Sequence, residues 1–313
     1  MKWDEEVDVV CTGWGAAGLA SAISIVDIGG EAFVANSSGH QDSNETCVAA
    51  RPQVDRRRPW LGVGVVDPQT NEYLAAVASD LGALRRTAWD CDVPIRAMHD
   101  FSPADSSSAI APFVGSRLRH WAARCLASPY GYLHTRVSNW QSTTVHASDG
   151  DMIEVAEIGS MTPDPDDVGG SVVDWLTARA HDRRIEVHLG SRLQRIVFEG
   201  GDVVGAVFTT PDGTLAVRAR HGVTIANDCP QIRVTTAYPL SAVDTNLRVC
   251  LVGQHASRFG RVELLTPKSH APDVVPSTCR PVNRALHVAL HDKQRSSRPW
   301  RCGKVHGYPP FGQ

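Results

Sequence analysis

A chain of 313 residues, 42% hydrophobic and 21% charged, is too long for one small core, and its composition excludes wholesale disorder, a collagen-like repeat and a coiled coil. Its 31 Lys and Arg against 34 Asp and Glu leave a formal charge of -3, so no global basic field draws it to nucleic acid or to an acidic membrane surface. The expected partner is a small-molecule substrate, and the sequence sets no oligomeric state.

The acidic start at Asp4, Glu5 and Glu6 lacks the layout of a secretory leader, and no stretch reaches the roughly 18 apolar residues of a membrane helix. The expectation is a cytoplasmic protein with no membrane insertion. Eight cysteines are scattered without a CxxC pair or a Cys/His group at zinc spacing, so reduced buried thiols are expected and no metal site.

Residues 7–12 form a short β-branched run that stops at glycine and reads as a buried strand. Gly13, Trp14, Gly15, Ala16, Ala17 and Gly18 follow as a GxGxxG turn. Residues 19–28 then have helical apolar spacing, closed by Gly29 and Gly30, and residues 32–35 are a second strand. In such a unit Gly13 permits the tight turn, Gly15 lets backbone approach a pyrophosphate and Gly18 lets helix pack on strand. The helix N-terminus offers its N–H groups to phosphate. At the end of the second strand, where a ribose-binding acid is expected, stand Asn36, Ser37 and Ser38; asparagine accepts a hydrogen bond without the charge that strengthens it. No arginine beside them argues for NADP.

Arg56, Arg57 and Arg58 read as a solvated loop. Asp67 and Pro68 open a helix with Tyr73, Leu74, Val77, Leu81 and Leu84 on one face, and residues 102–108 are a Ser/Asp/Pro loop. Residues 114–126 are again helical, and Asp164 to Asp167, with two prolines, mark a boundary. Beyond it come a helix over 172–180, a strand over 185–189, a three-strand meander over 193–198, 203–208 and 215–220, and a separate returning strand over 221–226.

This order resembles the FAD-dependent oxidoreductases of the fumarate reductase and 3-ketosteroid Δ1-dehydrogenase group, over residues 7–37 and 169–228. The resemblance implies an α/β, Rossmann-like FAD-binding domain built from 1–50 and 166–228, with an inserted mainly helical segment over 51–165. A partial substrate or cap region over 229–291 and a disordered tail over 292–313 complete it, and the chain then looks short at its C-terminal end. It implies FAD as cofactor, backbone contact with adenine near Leu193, and a returning strand ending against the flavin nucleotide at Ala226. There the family's Ala-Thr-Gly-Gly is replaced by Ala226, Asn227, Asp228 and Cys229. The implied activity is hydride transfer between flavin and a CH–CH group next to a carbonyl or carboxylate, with steroid-like and dicarboxylate-like substrates equally open.

No catalytic residue is singled out. Tyr130, Tyr132 and His134 share one face if they form a strand, either as substrate-facing acids or, preferred, as an amphipathic strand at the edge of the insert. Residues 253–261, with His255, Arg258 and Arg261, offer groups for a carboxylate but read better as a helix cap and solvated turn. His287 and His291 lie at i, i+4 without a third ligand, and no GxSxG elbow supports hydrolysis. Two alternatives remain: a flavoprotein-fold remnant that acts as an interaction protein or weak nucleotide binder, and an NAD-dependent dehydrogenase.

Overall fold

The computed structural model describes residues 1–37, 60–79, 93–98, 101–102, 115–136, 142–148, 150–227 and 246–267. Expectations for Ser38, Arg56–58, Leu81, Leu84, the loop after Ser102, Asp228, Cys229, His287, His291 and the tail lie outside them. All described residues belong to one compact unit, Met1–Cys279.

The chain begins with β1 (Glu5–Cys11), α1 (Ala16–Asp27) and β2 (Ala32–Asn36), with β1 and β2 parallel and Cys11 opposite Val34. Period-two alternation decides what each strand residue covers. Val9, Cys11 and Val34 pack on Ala22 and Ile25 of α1, whereas Val10, Phe33 and Ala35 join a cluster on the opposite face. A strand pair buried on both faces needs the near-continuous apolar sequence it has.

The meander covers that opposite face. It consists of β8 (Arg192–Glu199), β9 (Asp202–Thr210) and β10 (Gly213–Ala226). Phe208 of β9 meets Phe33 at 5.0 Å between ring centroids, and His188 stacks on Phe33 at 4.1 Å. Burial of a side chain of this size contributes about 2–3 kcal/mol.

The sequence separates the last meander strand from the returning one; the structure joins them. β10 is a single strand of 14 residues. Its first half pairs antiparallel with β9, and its second half runs parallel to β1 and antiparallel to β4 (Gly131–His134). The register against β1 shifts between Val7 and Val9, next to Gly222 at φ +122°, a conformation that glycine reaches without strain. The polar Arg220-His221 step therefore marks a bend and not a chain break.

α4 (Val168–Asp182) begins at Asp167, whose Oδ1 accepts from the Gly170 N–H at 2.9 Å, and it packs on α1 beneath the sheet through Val172 and Leu176. It leads to β7 (Val187–Leu189), parallel to β2, so β10-β1-β2-β7 forms the parallel part of the sheet.

The segment over 51–165 departs from the expected mainly helical insert. It holds α2 (Pro68–Ser79) and α3 (Gly115–Leu126), but also β3 (Ile95–Met98), β4, β5 (Thr143–His146) and β6 (Met152–Met161). These strands combine with β11 (Leu247–Gly253) and β12 (Phe259–Pro267), which the sequence reading missed, in a sheet of order β5-β6-β11-β12-β4-β10. α2 is capped by Asp67, whose Oδ2 accepts from the Thr70 N–H at 2.8 Å and hydroxyl at 2.7 Å; Thr70 Oγ1 in turn accepts from the Ile196 N–H of β8.

An ion cluster lies inside this second half. Glu263, fully buried, accepts from Arg96 Nε at 2.6 Å and from Arg261 Nε at 2.7 Å. The Arg261 guanidinium also lies 5.4 Å from the Trp121 ring, whose Nε1–H donates to the Phe259 carbonyl. Residues 253–261 are thus not wholly a solvated turn. His255 is exposed beside Glu154, but Arg261 is 2% exposed. No helix among the described residues is long and apolar enough to cross a membrane.

Candidate nucleotide-binding site

The glycine turn sits where β1, α1 and the end of β10 meet. A Cβ on Gly13 would lie 2.7 Å from the carbonyl oxygens of both Ala226 and Asn227, and one on Gly18 would overlap the Gly13 carbonyl. These two positions need glycine because backbone crosses backbone there. The Gly15 N–H donates to the Asn227 carbonyl at 3.1 Å, which ties the returning strand to the turn.

Gly15 is the N-cap of α1 in extended conformation, without a side chain that caps it and without an acidic residue in the first turn. A helix start leaves its leading N–H groups without carbonyl partners inside the helix. At Ala16, Ala17 and Gly18 these groups and the positive end of the helix dipole suit an anion. Two residues of the same segments carry buried donors without a hydrogen-bond partner among the described residues: Asn227 Nδ2, on a residue 3% exposed, and Trp14 Nε1. A buried unsatisfied donor costs about 1–3 kcal/mol, a cost that an acceptor supplied by a ligand removes. The turn itself is closed, since Gly13, Gly15, Ala16, Ala17 and Gly18 are all buried and Trp14 is half-buried.

The register places the other expected residues along the same edge. With Cys11 opposite Val34, Asn36 falls level with Gly13, one residue before Ser37. Asn36 is 3% exposed, and its carbonyl accepts from the Ser191 N–H at 2.9 Å. That bond brings the start of β8, and so Leu193, beside the end of β2. The Leu193 side chain points into the core, paired across the meander with Phe208. Ala226 is buried against Gly13 and Gly18. The structure thus gathers Gly13 to Gly18 with Ala226 and Asn227, and sets Asn36, Ser37 and Leu193 further along. Asn227, which the resemblance sets at a flavin-contacting position as a departure from the family, brings a buried donor that the sequence does not show.

The Tyr130, Tyr132 and His134 group belongs elsewhere. Its strand, β4, is central and not at the edge of the insert, between β10 and β12. Tyr132 stands opposite Gly260, whose missing Cβ leaves room for the phenol, and burial pushes the Tyr132 hydroxyl up. Burial also pushes the His134 imidazole down to about 3, and its Nδ1 lies 3.0 Å from Thr224 Oγ1. These are interior packing groups. Cys11 and Cys125, buried and pushed up to about 12 by desolvation, are inert thiols.

No protein-family model and no curated protein sequence matches the chain. Solved structures similar to it include the 3-ketosteroid-Δ4-(5α)-dehydrogenase of Rhodococcus jostii RHA1 in complex with 4-androstene-3,17-dione, at 17% identity and TM-score 0.30, over 71% of this chain and 46% of that one. Another is a flavocytochrome c3 fumarate reductase in an open conformation, at 16% identity and TM-score 0.28, over 69% and 33%. A third is the 3-ketosteroid Δ1-dehydrogenase of Sterolibacterium denitrificans with 1,4-androstadiene-3,17-dione, at 14% identity and TM-score 0.29, over 70% and 47%. The chain spans less than half the length of each, and similarity of this size assigns no family.

Proposed function

We propose that the β1–α1 turn binds the pyrophosphate of FAD and that the protein is an FAD-dependent oxidoreductase acting on a CH–CH group. One observation carries the binding part of this reading: the uncapped first turn of α1 adjoins Asn227, whose Nδ2 is a buried donor without an acceptor among the described residues. The backbone N–H groups of Ala16 and Ala17 would hold phosphate, Asn227 and Trp14 would donate to the same group, and Asn36 would accept from a ribose hydroxyl. FAD, when bound, supplies hydride acceptance and donation. The protein's own share is to position the nucleotide. The choice of FAD over NAD, and the CH–CH reaction, rest on the resemblance of the sequence to the fumarate reductase and ketosteroid dehydrogenase group.

The closed turn and the neutral Asn36 set the expected affinity low, in the micromolar range or weaker, about -8 kcal/mol at best. Equilibrium dialysis against FAD, and separately against NAD, reads this directly. Retention of FAD in the wild type, reduced tenfold or more in Asn227→Asp, is the expected result, because a carboxylate beside the pyrophosphate is repelled where the amide donates; tenfold is about 1.4 kcal/mol. A folded wild type that retains no FAD overturns the reading in favour of a protein that works without a nucleotide, and retention of NAD alone overturns the choice of cofactor.

A further inference from the structure

A second polar site lies away from the glycine turn. One face of α3 carries Arg117, His120, Trp121 and Arg124 at i, i+3, i+4 and i+7. With Ser116, Asp151 and Gln254 these residues line a cleft of 180 Å³. That is room for about six waters, smaller than the pockets that take drug-sized ligands and suited to a small ion.

Among the described residues the guanidinium groups beneath the cleft outnumber the carboxylates that pair with them. Among the described residues, Arg96 and Arg261 pair with Glu263, and Arg124 lies within the field of the same carboxylate. Arg124 is half-buried and has no hydrogen-bond or ion-pair partner among the described residues. Burial and the neighbouring Arg261 push its guanidinium down by more than Glu263 raises it, as expected of a cation whose counter-charge is already shared. Asp151 lines the same cleft, but it is not free, having an interaction of its own. Leaving a half-buried guanidinium unmatched is costly, and an anion that reaches it removes the cost.

We infer that this cleft binds a small oxyanion, a carboxylate or a phosphate, held by the guanidinium groups of Arg124 and Arg117 with His120, Ser116 and Gln254 as additional donors. Guanidinium matches either group through paired N–H bonds, whereas a chloride ion makes no use of that geometry. Trp121, fixed by its bond to the Phe259 carbonyl and by Arg261 beneath it, forms the rigid wall of the site.

The test titrates the intact protein with inorganic phosphate and, separately, with succinate, at ionic strength held constant with chloride, reading heat of binding and thermal midpoint. Saturable binding of at least one probe, with a rise in midpoint, is expected, and the tighter probe names the chemistry. Arg124→Gln and Arg117→Gln should each weaken it about tenfold, in line with the loss of one charge-assisted pair. Arg124→Gln should also melt no lower than wild type without added anion, since it removes an uncompensated cation, and the exposed Arg117 gives a variant whose folding is not at issue. Response to neither probe beyond that to chloride, or binding unchanged in both variants, overturns the inference.

Discussion

Glu263 pairs with two buried guanidinium groups, those of Arg96 and Arg261, and Glu263→Gln removes its charge at nearly constant volume. Burial alone would raise its pKa, but Arg261 and Arg96 outweigh burial and hold it at about 2, against an ordinary value of 4.5. That depression corresponds to ~3 kcal/mol of native-state stability. Removing one partner of a buried ion pair costs about 3–5 kcal/mol by general experience, so two independent routes agree. Because the folded-state pKa is the lower one, this stabilisation is complete above 4.5 and is lost as pH falls towards 2. Urea unfolding of wild type and Glu263→Gln, followed by tryptophan fluorescence and far-UV circular dichroism, should show a gap of ~3 kcal/mol at about pH 7 that narrows steadily below about pH 4.5. A gap under ~1 kcal/mol at neutral pH, or one that does not narrow in acid, refutes the account of Glu263 as the hub of the cluster.

Two further outcomes follow from close packing and burial. Gly18→Ala places a methyl group on the Gly13 carbonyl, and because the obstacle is backbone the loss should exceed the ~1–3 kcal/mol of ordinary overpacking; a variant that unfolds at the wild-type urea midpoint contradicts the packing described. The His134 imidazole should remain neutral at about pH 5 in NMR spectra of the folded protein, since burial lowers its pKa to about 3. The neutral form is favoured on folding, so this group costs stability as pH falls below 6.5, by about 1.4 kcal/mol per pH unit down to about 3; a native-state midpoint near 6.5 counts against it.

What could be read from the sequence is what is local. The β1–α1–β2 unit follows from a β-branched run, three spaced glycines and a helical apolar stripe, all within 36 residues, and its elements lie within a few residues of expectation. The meander was equally readable because its turns carry Gly200, Gly201 and Gly213 at positive φ. The second half of the sheet was not, because its partners are distant in sequence. Arg261 and Glu263, alternating in a chain segment, look like a solvent face; they are interior because Arg96, 167 residues from Glu263, closes the cluster. β4 is only four residues long, and nothing in them announces neighbours on both sides. At the nucleotide site the turn and Ala226 were legible, whereas the buried donor on Asn227 depends on how the end of β10 folds over Gly15, which no local pattern encodes.

The long strand β10 also governs when the chain can fold. One of the parallel neighbours of β1, β10, begins more than 200 residues after it; the hydrogen bond from Ala216 N–H to Asp4 spans 212 residues. At a ribosomal rate of about 5–20 residues per second, β1 has β2 beside it but lacks its β10 partner for roughly 10–40 s. Val10, fully enclosed in the native state, lacks its meander cover during that interval, whereas Val9 and Cys11 already have α1 to pack on. Pairing this distant in sequence closes late and slows folding relative to a domain with local strand pairing, because the loop entropy is lost before the contact is made.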